Sequence, residues 1–154
     1  AKVKKKLTGL KVACYYGCQQ TRPKYGFDDP ESPQWLDLLT LSLGAEAVPY
    51  PLKARCCGGA LVISQEDVAL ELIYKLLANA ADNGAQCVVT TTCPLCFTNL
   101  DAYQSRVKSR FKANFNLPVL AITQLIGVAL ELKPKALGLN KNIVSPGKLL
   151  SPYL

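Results

Sequence analysis

The sequence predicts an α/β domain, layered around a small and mainly parallel sheet, with cysteine-bearing loops at the carboxyl ends of its strands. Three observations carry that expectation. Short runs rich in β-branched and aromatic residues alternate with longer segments of helical apolar spacing, the pattern of parallel strands joined by helical crossovers. Five of the seven cysteines follow the first three of those runs closely. The 154 residues suit one ordinary domain, and 49% hydrophobic against 19% charged residues supplies a core without the charge excess of a disordered chain.

The elements are expected in the following order. After a basic leader, Leu10 to Tyr16 reads as a buried strand that Gly17 stops. Arg22-Pro23 and the segment Phe27 to Pro33 form an irregular loop. Gln34 to Leu43 then starts a helix with Trp35, Leu38, Leu39 and Leu43 near one face, closed by Gly44. Ala45 to Tyr50 is a second strand, which Pro49 and Pro51 shorten or push to an edge. The loop Lys53 to Gly59 follows. Ser64 and Asp67 suggest a capped helix start, and Val68, Leu72, Ile73, Leu76, Leu77 and Ala80 form an apolar face that stops at Asn83-Gly84. Ala85 to Thr92 is a third strand. Cys93-Pro94-Leu95-Cys96 opens the next helix, with Pro94 in the first turn, where it is tolerated. Leu117 to Ile122 gives a fourth strand and Gln124 to Leu132 a further helix.

Composition excludes whole classes of chemistry. The chain has no histidine, which removes serine-histidine and cysteine-histidine nucleophiles, the zinc-hydrolase ligand sets and haem ligation by imidazole. Any metal must rest mainly on sulfur. The net charge of +7 raises nucleic acid as a partner. Yet Lys2, Lys4, Lys5 and Lys6 lie in a leader expected to fray, and Arg106, Lys108, Arg110 and Lys112 recur every second residue and so spread around a helix. Nucleic-acid binding is not expected. The leader lacks the apolar core of a secretory signal, and the apolar stretch Val119 to Leu132 is shorter than a membrane span of about 20 residues. A cytoplasmic, non-spanning protein in a reducing compartment is expected, where cysteines serve metal or redox chemistry rather than a disulfide framework. The chain has no methionine and begins at Ala1, so it is expected to be a processed chain or one part of something longer.

The cysteine spacing is Cys18-x37-Cys56-Cys57-x35-Cys93-x2-Cys96. In a parallel sheet the three loops emerge at one edge, so these five cysteines should converge. Gly58-Gly59 lets the backbone bend closely around a centre that two adjacent side chains must both reach. Helix starts after the second and third loops would turn free N–H groups toward anionic sulfur. Arg22, Lys24, Lys53 and Arg55 flank the same loops and are expected to offset thiolate charge. Cys14 and Cys87 fall within strands and are expected to pack as small apolar side chains, Cys14 being the one whose role stays open.

Tyr15-Tyr16-Gly17-Cys18 with Arg22-Pro23, then Cys56-Cys57-Gly58-Gly59, then Cys93-Pro94-Leu95-Cys96, resemble the CCG cysteine-rich domain family (CX31-39CCX35-36CXXC). Within it they are most similar to the second, C-terminal half of the B-type subunit of heterodisulfide reductase. The resemblance runs from Lys11 to about Pro146, and it makes residues 1–154 a single CCG domain, expected to be one half of a longer B-type protein. It implies an oxidoreductase component, active within a complex, whose noncubane [4Fe-4S] cluster is held by Cys18, Cys56, Cys57, Cys93 and Cys96. Five thiolates are one more than a cubane or a tetrahedral zinc site needs. The cluster itself would then be the catalytic group, reducing a disulfide or oxidising a thiol or other sulfur substrate. Electrons would pass through a ferredoxin-like iron-sulfur partner (the C-type subunit of heterodisulfide reductase) and a flavoprotein partner (its A-type subunit), docked near Arg22, Lys53 and Arg55. Two other readings stay open: a thioredoxin-like dithiol of Cys93 and Cys96, whose helix N-terminus would lower the first thiol's pKa, and a structural zinc held by four cysteines in an interaction module.

Overall fold

The structure is a computed structural model that describes residues 3–23, 28–91 and 93–154. Lys2, Lys24, Phe27 and Thr92, each part of an expectation above, lie outside the described residues. Strands β1 (Lys11–Tyr15), β2 (Glu46–Ala47), β3 (Cys87–Thr90) and β4 (Val119–Ala121) form one sheet in the order β2-β1-β3-β4, every neighbouring pair parallel. The carboxyl ends of all four therefore share one edge. This is the layered α/β arrangement expected from the alternation of strand and helix patterns.

The helices are α1 (Gly17–Thr21), α2 (Trp35–Ser42), α3 (Glu66–Asp82), α4 (Pro94–Ala102), α5 (Gln104–Phe111), α6 (Ile122–Ala129) and α7 (Gly147–Leu150). Side chains alternate across a strand, and β1 feeds two separate cores accordingly. Val12, Cys14 and Tyr16 pack with Leu36 of α2, Leu125 and Val128 of α6, and Leu150 of α7. Ala13 and Tyr15 face the other way, among Ile73 and Leu77 of α3, Leu100 of α4 and Val107 of α5. Helices thus cover both faces of the sheet, which is why its strands are almost continuously apolar.

Several local expectations need correction. β2 is confined to Glu46–Ala47 and not Ala45 to Tyr50, although it is short and at the sheet edge as Pro49 and Pro51 require. The start of α3 is not capped by Ser64; its N-cap is Gln65, without a side-chain cap. Its buried face includes Ala69 and Leu70, whereas Val68 is exposed. On α2 the buried positions are Leu36 and Thr40, and Leu38 points to solvent, because Thr40 Oγ1 sits 3.3 Å from the Cys14 sulfur beneath the helix. Helix α6 begins two residues early, where Gln124 Oε1 accepts the Ala121 N–H at 3.0 Å, and ends before Glu131, whose φ of 57° leaves the helical region. The described part of the basic leader is not frayed: the N–H groups of Lys4 and Lys5 both donate to the Ala129 carbonyl at 3.0 Å, and Leu7 is fully buried. On α5, Arg106 and Arg110 pair with Glu66 and Asp67 at the start of α3, and Lys112 caps the helix in the left-handed region.

The segment after α6 is fastened to the sheet by buried polar groups. Asn142 Nδ2 donates to the Val119 carbonyl at 2.6 Å, and Gln124 Nε2 donates to Asn142 Oδ1 at 3.1 Å. Asp101 of α4 is 3% exposed and accepts the N–H groups of Ile143 (2.6 Å) and Val144 (3.0 Å). Burial raises its carboxyl pKa, and the two donors oppose that rise. Asp101→Ala would strand both N–H groups, so it is expected to cost about 3 kcal/mol in urea unfolding; a loss within error of zero would show that water replaces the carboxylate.

Candidate functional site

The three cysteine-bearing segments meet at the carboxyl edge of the sheet and are tied to one another by hydrogen bonds. The N–H groups of Tyr16 and Gly17 both donate to the Lys53 carbonyl, at 2.9 and 3.0 Å, which binds the end of β1 to the loop after β2. Tyr15 OH donates to the Arg55 carbonyl at 2.7 Å. Thr91 Oγ1 donates to the Tyr16 carbonyl at 3.3 Å, and Asn99 Nδ2 of α4 donates to the Cys57 carbonyl at 3.3 Å. Thr91 and Asn99 are both buried, so these links are shielded from water.

On this frame the five expected cysteines gather. Cys18, in the single turn of α1, has its sulfur 3.9 Å from that of Cys56. Cys57 and Cys96 have theirs at 3.6 Å. Cys93, the N-cap of α4, is near enough to help raise the Cys96 thiol, after Cys57 and burial. The sulfurs grade from outside to inside: Cys56 is exposed, Cys18 and Cys93 are half-buried, and Cys57 and Cys96 are each 3% exposed. Cys14 and Cys87 are fully buried on the opposite face of the sheet, as the alternation of β1 and β3 requires. Burial pushes both thiols up to about 12, so they stay protonated and apart from the site.

The inner pair ionises asymmetrically. The sulfur contact with Cys96 lowers Cys57 to about 7, with help from the Gly59 N–H, whereas the same contact raises Cys96. Burial and then the neighbouring Cys56 raise Cys18. After the second loop the N–H groups that reach sulfur come from the glycine pair, where the chain starts a short 3-10 turn at Gly59. Helix α3 begins too far along the chain to serve, and it is Gly58 N–H that donates to the Cys56 sulfur at 3.3 Å.

Glycines clear the space. Gly17 has a φ of +67°, and a Cβ there would stand 3.2 Å from the Cys96 sulfur and 3.1 Å from Tyr15 OH. One on Gly59 would lie 3.5 Å from the Cys57 sulfur. A donor set of five sulfurs without histidine, beside glycines whose missing side chains leave room next to the Cys96 and Cys57 sulfurs, fits a soft, sulfur-liganded metal group. Among the described residues no three His, Cys, Asp or Glu side chains form a single-ion cage; the sulfurs stand as two close pairs.

The flanking cations divide. Lys53 is not directed at the sulfurs: its ammonium is 3.3 Å from Asp37 and 5.3 Å from the centre of the Tyr16 ring. Tyr16 is structural too, since its hydroxyl accepts the N–H groups of Leu36 (2.9 Å) and Asp37 (3.1 Å) and donates to the Asp37 carboxylate, capping α2 from another strand. Arg22 acts favourably on Cys18, and Arg22 and Arg55 line a cavity of about 550 Å³ together with Cys56, Leu52 and Leu72. Tyr15, Gly17 and Asn99 escaped the sequence reading; only the Tyr-Tyr-Gly-Cys string hinted at the first two.

Fold and site together define a parallel α/β domain whose loops deliver a polycysteine site to one sheet edge. The chain belongs to the CCG cysteine-rich domain family, whose model matches residues 12–101 and so spans all five cysteines. It is 40% identical over 97% of its length to the 8-methylmenaquinol:fumarate reductase membrane anchor subunit of Wolinella succinogenes. It is 36% identical over 88% to the B-type subunit of the ferredoxin:CoB-CoM heterodisulfide reductase of Methanosarcina mazei, and 32% identical over 86% to a protein of Archaeoglobus profundus that is itself like the heterodisulfide reductase B-type subunit. The chain covers 53%, 46% and 46% of those proteins, about half the length of each. Among the described residues no helix is long and apolar enough to cross a membrane.

Proposed function

We propose that this chain is an iron-sulfur redox subunit of the heterodisulfide reductase B type, equivalent to one motif-bearing half of such a protein. Cys18, Cys56, Cys57, Cys93 and Cys96 would hold a [4Fe-4S] cluster of the noncubane kind. The observation that carries this reading is the meeting of five sulfurs, graded from exposed to buried, at one edge of the sheet. When bound, the cluster supplies one-electron transfer to or from the sulfur of a disulfide or thiol. The chain's own residues fix the ligands: Asn99 and Tyr15 hold the Cys56-Cys57 loop, and Thr91 holds the turn that carries Cys18. The cavity beside exposed Cys56 gives a substrate sulfur its approach, and Arg22 and Arg55 lend positive charge there.

A tetrahedral zinc needs four sulfurs around one point, a cage that the described side chains do not form, and five cysteine ligands suit a centre of several irons better. A self-contained Cys93/Cys96 dithiol is disfavoured by the 3.6 Å contact that ties Cys96 to Cys57. Electrons would come from a ferredoxin-like partner and a flavoprotein partner, the former docking beside Arg22 and Arg55, on the cytoplasmic side.

The 40% identity to a membrane anchor subunit favours a second reading, in which the chain passes electrons within a quinol-linked reductase and meets no sulfur substrate. One experiment separates the two. Adding a small thiol, then its disulfide, to the anaerobic iron-loaded chain is expected to change its electron paramagnetic resonance spectrum. A spectrum indifferent to both at saturating concentration contradicts the heterodisulfide-type reading and favours the second.

A further inference from the structure

We infer that the metal-free site closes on itself as two specific disulfides, Cys18–Cys56 first and Cys57–Cys96 second, and not within Cys93-Pro94-Leu95-Cys96. The consequence for metal loading rests on the metal-site reading above; the pairing itself does not. The two pairs have sulfurs in contact at 3.9 and 3.6 Å, so each must close by less than about 2 Å to reach the disulfide length of about 2.05 Å. Each pair joins different loops, which the hydrogen bonds from Tyr16, Gly17 and Asn99 already hold together. Cys96, the only partner the CxxC motif offers Cys93, is engaged by Cys57.

Exposure sets the order. Cys56 is the exposed sulfur and meets a small disulfide first, with half-buried Cys18 beside it. The thiolate of Cys56 attacks one sulfur of oxidised glutathione, forming a mixed disulfide and releasing one glutathione thiolate. The Cys18 thiolate then attacks the Cys56 sulfur, forming the internal bond and releasing the second glutathione thiolate. Two protein thiols are oxidised by two electrons, one glutathione disulfide is reduced to two thiols, and the two thiol protons pass to water or to the leaving thiolates. The buried pair, each 3% exposed, follows by the same exchange when the loop opens. Cys93 remains a thiol. The closed state occupies four of the five candidate ligands, so it is a redox lock on metal loading that a thiol reductant releases.

The test uses the full chain, stripped of metal and reduced, then treated with oxidised glutathione, alkylated and mapped by mass spectrometry. Thiols are expected to disappear two at a time, Cys18–Cys56 appearing first and Cys57–Cys96 later, with Cys93 alkylated throughout. Cys18→Ser is expected to lose the first internal disulfide and stop with glutathione on Cys56, whereas Cys87→Ala behaves as the unaltered chain. A first product joining Cys93 to Cys96, or an undiminished rate of internal disulfide formation in Cys18→Ser, overturns the proposal. Iron uptake is measured separately on the reduced chain: its failure with the expected pairing intact counts against the metal reading alone.

Discussion

A Cys57→Ser chain purified without air is expected to hold at least roughly tenfold less iron than the unaltered chain, while Cys87→Ala holds the full amount. The two residues are alike in burial, yet they lie on opposite faces of the sheet. Cys57 faces Tyr15 and Cys96, whereas Cys87 packs among Val12, Leu120 and Leu125. A serine oxygen at position 57 is a poor ligand for soft metal and loses the 3.6 Å sulfur contact with Cys96. Removing the Cys87 sulfur only loosens the core. Equal iron losses in the two variants would contradict the division of the cysteines between site and core.

The second large effect is expected at Gly58. Its φ is +72°, where a β-branched residue is strained, and a Cβ there would stand 3.1 Å from the Ala69 Cα. That neighbour is helix backbone and cannot step aside. Gly58→Val is therefore expected to cost about 2–4 kcal/mol, from the left-handed strain and the overpacking together. The same change tilts the Cys56-Cys57 loop away from α3, so iron content should fall as well. Urea unfolding and iron analysis on the same preparation check both halves. A variant as stable as the parent would mean that the glycine pair is not required by the backbone path.

Most of the sheet was legible because its strands are bounded by glycine and proline and its main helix is long. The placing of the five motif cysteines was legible because parallel strands send their carboxyl ends to one edge, and that of Cys14 and Cys87 because side-chain alternation points them away from it. Helix α1 was not, since Gly-Cys-Gln-Gln-Thr makes one turn, too short for any periodicity to show. The shift of the α2 and α3 faces was set by packing, through the Cys14–Thr40 contact and the close approach of Ala69 to Gly58. Lys53 could not be assigned from its position beside the cysteines, because its partners Asp37 and Tyr16 come from elsewhere in the chain. Likewise Tyr16 caps a helix that begins far beyond it, a tertiary cap with no local signature.

Whether Cys18, Cys56, Cys57, Cys93 and Cys96 hold an iron-sulfur centre is tested most directly by metal and acid-labile sulfide analysis of the anaerobically purified chain. A brown protein with iron and sulfide in near-equal amounts and little zinc is the expected result. One zinc per chain with no sulfide, in material never exposed to air, would contradict it and restore the structural zinc reading.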